Sequence, residues 1–103
     1  MTGGKCRKIL VIGAGEAARM VASEISCSDF NASVEGFLDD DESLKGSVIE
    51  GAPVLGRTEQ LEETVASSGI DEVIIAVPTA PGRFVRDILR RCRRAGVPYK
   101  IVP

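Results

Sequence analysis

The chain has 103 residues, a net charge of −2, 4% aromatic residues and neither Trp nor His. That length holds one domain, 1–103, in which about two-thirds of the unfolded surface is buried. The charge gives no bulk attraction to nucleic acid or to an anionic membrane, and the few aromatics leave little for single-stranded bases to stack on. The three cysteines, Cys6, Cys27 and Cys92, are far apart. Without histidine they make no zinc spacing, so no metal is expected, and the composition fits a reducing, cytoplasmic compartment. No signal peptide is visible, nor an apolar run near the roughly 20 residues that a membrane span needs.

In chain order, Lys8 to Ile12 reads as a short buried strand stopped by glycine. Glu16 to Ser26 reads as a helix with Ala17, Met20, Val21 and Ile25 on one face. A second strand runs through Val34 to Leu38 and ends in Asp39, Asp40 and Asp41. The stretch DDDESLKGSVIEG reads as a loop, followed by a third short strand, Pro53 to Leu55. Thr58 is the predicted N-cap of a helix through Ser68, with Leu61 and Val65 inward and Gly69 as its stop. Glu72 to Val77 is apolar on both faces and reads as a central parallel strand. PTAPG breaks the chain, and a helix follows over Arg83 to Ala95, with Phe84, Ile88, Leu89 and Cys92 inward and Gly96 as its stop. Tyr99 to Val102 is the last strand. Strands alternating with helices predict an α/β fold, a Rossmann-like, doubly wound parallel sheet of five strands in the order 3-2-1-4-5.

Gly13-Ala14-Gly15-Glu16-Ala17-Ala18 fits the pattern G-x-G-x-x-G/A between a strand and a helix. Gly13 permits the tight turn, Gly15 lets a diphosphate approach the backbone, and Ala18 lets the helix pack closely on the strand. Free amides at the helix start then face the phosphates. Asp39 ends the next strand, where a carboxylate accepts bonds from ribose hydroxyls. The alternative is a bare structural corner. Glu16 bears on that choice: the helix dipole stabilises it, but a neighbouring pyrophosphate does not unless the side chain turns outward. VPTAPG, Val77 to Gly82, leaves the fourth strand where the strand order reverses and should share the crevice, with Val77, Pro78 and Thr79 as its candidate site residues; the alternative is a Pro-rich turn and a helix cap. Asp40 and Asp41 read chiefly as solvated loop, with Asp40 kept as a candidate at the site. Six arginines, Arg83, Arg86, Arg90, Arg91, Arg93 and Arg94, cover the last helix. They read as a solvated face, or as a surface for an acidic domain or subunit.

The stretches VIGAGEAARM, VEGFLDDD, GAPVLG, DEVIIAVPTA and ILRRCRRAGVPYKIVP occur in an order and spacing that resemble one family. It is the nucleotide-binding, CoA-binding-like Rossmann domain of bacterial polysaccharide-biosynthesis proteins, the nucleoside-diphosphate-sugar dehydratases and epimerases. The resemblance implies a pocket lined by Gly13, Gly15 and Asp39 that takes NAD(H) or a nucleotide sugar such as a UDP-sugar. It also implies a parent protein with membrane helices and a separate catalytic domain, this domain lying on the cytoplasmic side. The catalytic Tyr-x-x-x-Lys pair of such a domain is absent, since Tyr99 and Lys100 are adjacent. The chain alone is therefore expected to bind rather than to catalyse. VEGFLDDD and GAPVLG also resemble the nucleotide-sugar-binding N-terminal domain of sugar O-acyltransferases, although Gly-Ala-Gly stands where those proteins carry a Gly-Gly-His type turn. A non-catalytic sensing or assembly module is the remaining alternative. The expected partners are the ligand, other domains of the parent and further copies of the chain, but not nucleic acid.

Overall fold

The computed structural model describes residues 6–28 and 31–103; the side chains of Cys27 and Ser28 lie outside the described part. Strand β1 (Arg7–Ile12) leads into helix α1 (Glu16–Ser28), and β2 (Ala32–Leu38) follows. A short hairpin joins β3 (Val48–Ile49) to β4 (Ala52–Gly56). A single 3-10 turn at Thr58–Gln60 runs into α2 (Leu61–Ser68), then β5 (Glu72–Ile75), α3 (Gly82–Ala95) and β6 (Tyr99–Ile101) complete the chain. Gly69 and Gly96 end α2 and α3 in the left-handed conformation, at φ 63° and 69°. A residue without Cβ takes that conformation at no steric cost.

Alternation along β1 splits the core in two. Ile9 and Val11 face α1, where they meet Ala18, Ala22, Phe37 and Val54. Leu10 and Ile12 face α2 and α3, where they meet Leu61, Val73, Ile75, Ile88 and Cys92. Successive strand residues point to opposite faces, so a strand with four apolar residues in a row needs a cover on each side. A fully buried Phe or Ile contributes about 1.5–3 kcal/mol relative to an exposed one. At the opposite end of the sheet from the glycine turn, Glu72 is 8% exposed. It accepts ion pairs from Arg7 at 2.6 Å and Lys100 at 3.4 Å, which tie β1, β5 and β6 together at their N-terminal ends.

Among the described residues the sheet has six strands in the order β3-β4-β2-β1-β5-β6, not five in the order 3-2-1-4-5. The additional strand is β3, which pairs antiparallel on β4, whereas β4, β2, β1, β5 and β6 pair in parallel and keep the expected succession among themselves. Its connection is a two-residue turn, Glu50-Gly51, with φ of 50° and 84°. Positive φ at both central residues is the geometry of a tight hairpin, usually signalled by Asn-Gly or Asp-Gly. Glu-Gly within an acidic stretch hides it. Two further expectations are corrected. Thr58 is not an N-cap, because Arg57 holds that position and the Thr58 side chain is directed elsewhere. Met20 is not on the inward face of α1: it is 62% exposed, and Ala18 and Ala22 make the closest packing instead. Among the described residues no helix is long and apolar enough to cross a membrane.

Helices α2 and α3 are joined by charge as well as by apolar contact. Arg91 donates to Asp87 at 3.1 Å, to Glu62 at 3.1 Å and to the Glu59 carbonyl at 3.3 Å, while Arg94 stands 3.7 Å from Glu62. Burial pushes the Glu62 carboxyl up. A backbone hydrogen bond and the two arginines outweigh that and hold it below the usual carboxylate range. Burial, followed by the Glu62 charge, pushes the Cys92 thiol up to about 11, so it remains a neutral core group at pH 7. Because folding lowers the Glu62 pKa, its contribution is present above the unfolded-state value and is lost as pH falls through the folded-state value. Glu62→Gln should therefore cost about 0.5–1 kcal/mol in urea unfolding at pH 7. The gap should close at pH 3.

Candidate functional site

The carboxyl ends of the parallel strands meet at β1, where the chain leaves β1 toward one face of the sheet and β5 toward the other. The crevice at that point is a cleft of about 510 Å³. The candidate site residues Gly13, Ala14, Gly15, Glu16, Ala17, Asp39, Asp40, Val77, Pro78 and Thr79 line it, whereas Gly82, at the end of the VPTAPG stretch, does not. Leu38, Thr58, Ala76, Ala80, Pro81 and Phe84 complete the wall.

Backbone hydrogen bonds hold the turn in place. Gly13 N–H donates to the Leu38 carbonyl at 2.8 Å, Asp39 N–H to Gly56 at 2.9 Å, and Ala76 N–H to Ile12 at 2.9 Å. The two glycines of the turn have different reasons to be glycine. Gly13 has φ +104°, and a Cβ there would lie 2.6 Å from the Ala76 carbonyl oxygen and 2.9 Å from Val77 Cγ1. It is required by the fold. Gly15 has no protein atom within 4 Å of where its Cβ would stand. Gly15 lies in the cleft wall, and no packing among the described residues asks for it. Ala18, one turn into α1, is fully buried and seats the helix on the sheet.

The acids around the cleft are tied to the loops that carry them. Asp39 accepts from the Ala14 amide at 2.9 Å through one oxygen and from the Asp41 amide at 2.9 Å through the other. It thus joins the end of β2 to the glycine turn. Asp40 accepts from the Thr58 amide at 2.8 Å and from the Thr58 hydroxyl at 2.9 Å, joining β2 to the start of the α2 segment. This bond is where the Thr58 hydroxyl is spent, and it makes Asp40 an anchor rather than a free loop residue. Asp41 is exposed and caps the short turn at Glu42–Leu44; bonds from the Ser43 hydroxyl and amide hold its carboxyl below the usual range. Glu16 turns outward, 73% of its side chain exposed, and pairs with Arg19 at 3.0 Å. The helix start is therefore left to its amides. The first of the helical bonds runs from Arg19 N–H to the Gly15 carbonyl at 3.0 Å, so the amides of Glu16, Ala17 and Ala18 have no partner within the helix.

Four wall residues, Leu38, Ala76, Thr58 and Phe84, lie outside the site as read from the sequence; Leu38 and Ala76 are buried at their strand ends. Thr58 follows β4, and β4 lies beside β2, so its position at a carboxyl end was the available signal. Phe84 was read as core. It is only half-buried, and it lines the cleft from the first turn of α3. Among the described residues, no cluster of His, Cys, Asp and Glu has the makings of a metal site.

Known proteins place this architecture. A curated relative, the probable polysaccharide biosynthesis protein EpsC of Bacillus subtilis (strain 168), is 30% identical over 97 residues. The match takes in 93% of this chain and 16% of that protein, so the chain spans about one-sixth of its relative's length. The solved structure of UDP-D-quinovosamine 4-dehydrogenase from Vibrio fischeri superposes with a TM-score of 0.86 at 25% identity, over 97% of this chain and 80% of that one. The Rex-family repressor RSP, in its complex with β-NADH, superposes with a TM-score of 0.79 at 22% identity, over 96% of this chain and 54% of that one. At that identity the likeness is one of fold. The family described as "CoA-binding domain" matches residues 2–103, nearly the whole sequence. The chain belongs to the CoA-binding domain family, with a Rossmann-like fold.

Proposed function

We propose that this chain is the nucleotide-binding domain of a longer, nucleotide-sugar-modifying enzyme of polysaccharide biosynthesis, a dehydratase or epimerase, and that the cleft holds NAD(H) or a nucleotide sugar. The observation that carries the reading is the empty side of Gly15 in the cleft wall, which no contact among the described residues explains and a diphosphate would use. The amides of Glu16 and Ala17 beside it are the donors for that diphosphate. EpsC and the UDP-sugar dehydrogenase support the assignment to nucleotide-sugar chemistry, and the NADH complex of RSP supports the dinucleotide. In this reading the domain lies on the cytoplasmic side of its parent and supplies binding, while a separate domain supplies catalysis.

Asp39 sets the preference among adenine ligands. Both of its oxygens already accept one backbone amide, but a carboxylate has about four acceptor positions. Those remaining suit the free hydroxyls of a ribose. A phosphate on that ribose, at the 2′ position in NADP(H) or the 3′ position in coenzyme A, would meet a fixed negative charge. NAD(H) is therefore the adenine ligand that fits.

Calorimetric titration with NADH, NADPH and UDP-N-acetylglucosamine tests the reading. We expect saturation by NADH or by the UDP-sugar, and weaker binding of NADPH than of NADH. Asp39→Asn should weaken NADH by about one to two orders of magnitude and narrow its advantage over NADPH. NADPH binding more tightly than NADH would contradict the role of Asp39.

The two glycines separate structure from binding. Gly15→Val should fold with a melting temperature close to that of the unmodified chain but lose the ligand. Gly13→Val should lose about 2–4 kcal/mol of stability, from the strained φ and the collision with Ala76. Equal ligand affinity in Gly15→Val would make the turn a structural corner.

A further inference from the structure

We propose that the base of the bound nucleotide lies against Phe84, held by stacking and apolar contact, so that the cleft takes nucleoside diphosphates without selecting the base. This inference rests on the nucleotide reading above and places the part of the ligand that reading leaves unassigned.

The cleft has two unlike sides. On the side of α1 stand Gly15 and the start of the helix, whose amides suit an anion. On the other side stand Leu38, Val77 and Phe84. All three belong to the apolar cluster under α2 and α3 or pack against it. A nucleotide is divided in the same way, into a charged diphosphate and a flat base. With the diphosphate at the start of α1, the base is the part that matches the apolar side. Asp39 joins the two sides: it follows Leu38 in the chain and accepts from the Ala14 amide in the glycine turn. The ribose, which links base to phosphate, meets it there.

Phe84 is the one aromatic residue in the wall. It is half-buried, whereas Ile88 and Cys92, further along the same stripe of α3, are fully buried. An open aromatic face is a platform for a base, and stacking tolerates any base because each has a π-face. Selection among bases needs hydrogen bonds to their edges. Of the polar side chains in the wall, Asp40 and Thr58 are bonded to each other, Asp39 to backbone amides and Glu16 to Arg19. Thr79 is left, exposed on the loop after β5. One hydroxyl, which both donates and accepts, does not tell bases apart.

Phe84→Leu keeps an apolar side chain on the core and removes the aromatic face. In calorimetric titrations it should weaken ADP and UDP alike, by at least about fivefold. The loss should be the same at about 20 mM and about 0.3 M salt, because no charge is removed. Leu89→Ala also removes apolar bulk from α3 but lies outside the cleft. It should lower the melting temperature and leave affinity unchanged. In the unmodified chain ADP and UDP should bind within about tenfold of each other. NMR with isotopically labelled phenylalanine gives a readout that needs no variant. The Phe84 ring should show cross-relaxation with protons of adenine or uracil, and Phe37, buried under α1, should show none. Unchanged affinity in Phe84→Leu, or contacts from Phe84 to another part of the ligand, would overturn the placement of the base while the nucleotide reading stands. A preference beyond about a hundredfold for one diphosphate would overturn the tolerance. If neither diphosphate binds, this inference falls, and the titrations of NADH and UDP-N-acetylglucosamine decide the nucleotide reading by themselves.

Discussion

The architecture depends on the burial of one strand. Ile9, Leu10, Val11 and Ile12 are between 0% and 2% exposed, so β1 is covered on both faces. A strand buried in this way takes a neighbour on each side and helices above and below. The chain supplies these by leaving β1 through α1 on one face and returning, after β4, through α2 and α3 on the other. The connections at the carboxyl end of β1 consequently diverge, and divergence opens a crevice there rather than a packed surface. The cleft is a by-product of covering β1, and the residues at its mouth are those that the turns happen to place there.

What distinguishes this crevice from a gap between loops is its bracing. Asp39 joins β2 to the glycine turn, and Asp40 joins β2 to the segment that begins α2. Two adjacent carboxylates thereby lock three loops against one another before a ligand arrives. Preorganisation of this kind lowers the ordering cost of binding. It also accounts for two acids standing beside a site proposed to hold phosphate: their charge is directed at backbone amides, which leaves the amides at the start of α1 facing the cleft. Glu16, turned outward onto Arg19, keeps its charge off that helix start.

The sequence and the structure agree best where hydrophobic periodicity is strong. The apolar run of β1, the EVII core of β5 and the inward stripe of α3 are legible as they stand, because burial follows from the pattern alone. The glycine turn and the acid after β2 were legible as a motif, and the structure brings all the residues chosen from it to one cleft. The misses have physical causes. Val48–Ile49 is too short to show alternation, and its turn uses a glutamate at positive φ where asparagine or glycine would signal it. Thr58 looked like a helix cap because capping and long-range hydrogen bonding call for the same hydroxyl, and only the fold reveals that Asp40 stands within reach. Met20 was assigned inward because a helical stripe fixes a face but not its edges; two alanines bring the helix close to the sheet, and Met20 falls beyond the contact. The difference between Gly13 and Gly15 was invisible in the sequence, since one letter serves a backbone constraint in the first case and an open space in the second.

The central claim is that the amides at the start of α1, beside Gly15, receive the phosphates of a nucleotide. Backbone amide NMR of the isotopically labelled chain, with NADH and UDP-N-acetylglucosamine added in turn, tests it most directly. The account predicts that one of these ligands shifts the amide resonances of Gly15, Glu16 and Ala17 together with those near Asp39 and Thr79. The β3–β4 hairpin and the C-terminal turn of α2 should be left unchanged. Shifts confined to other surfaces, or none at millimolar ligand, would contradict it.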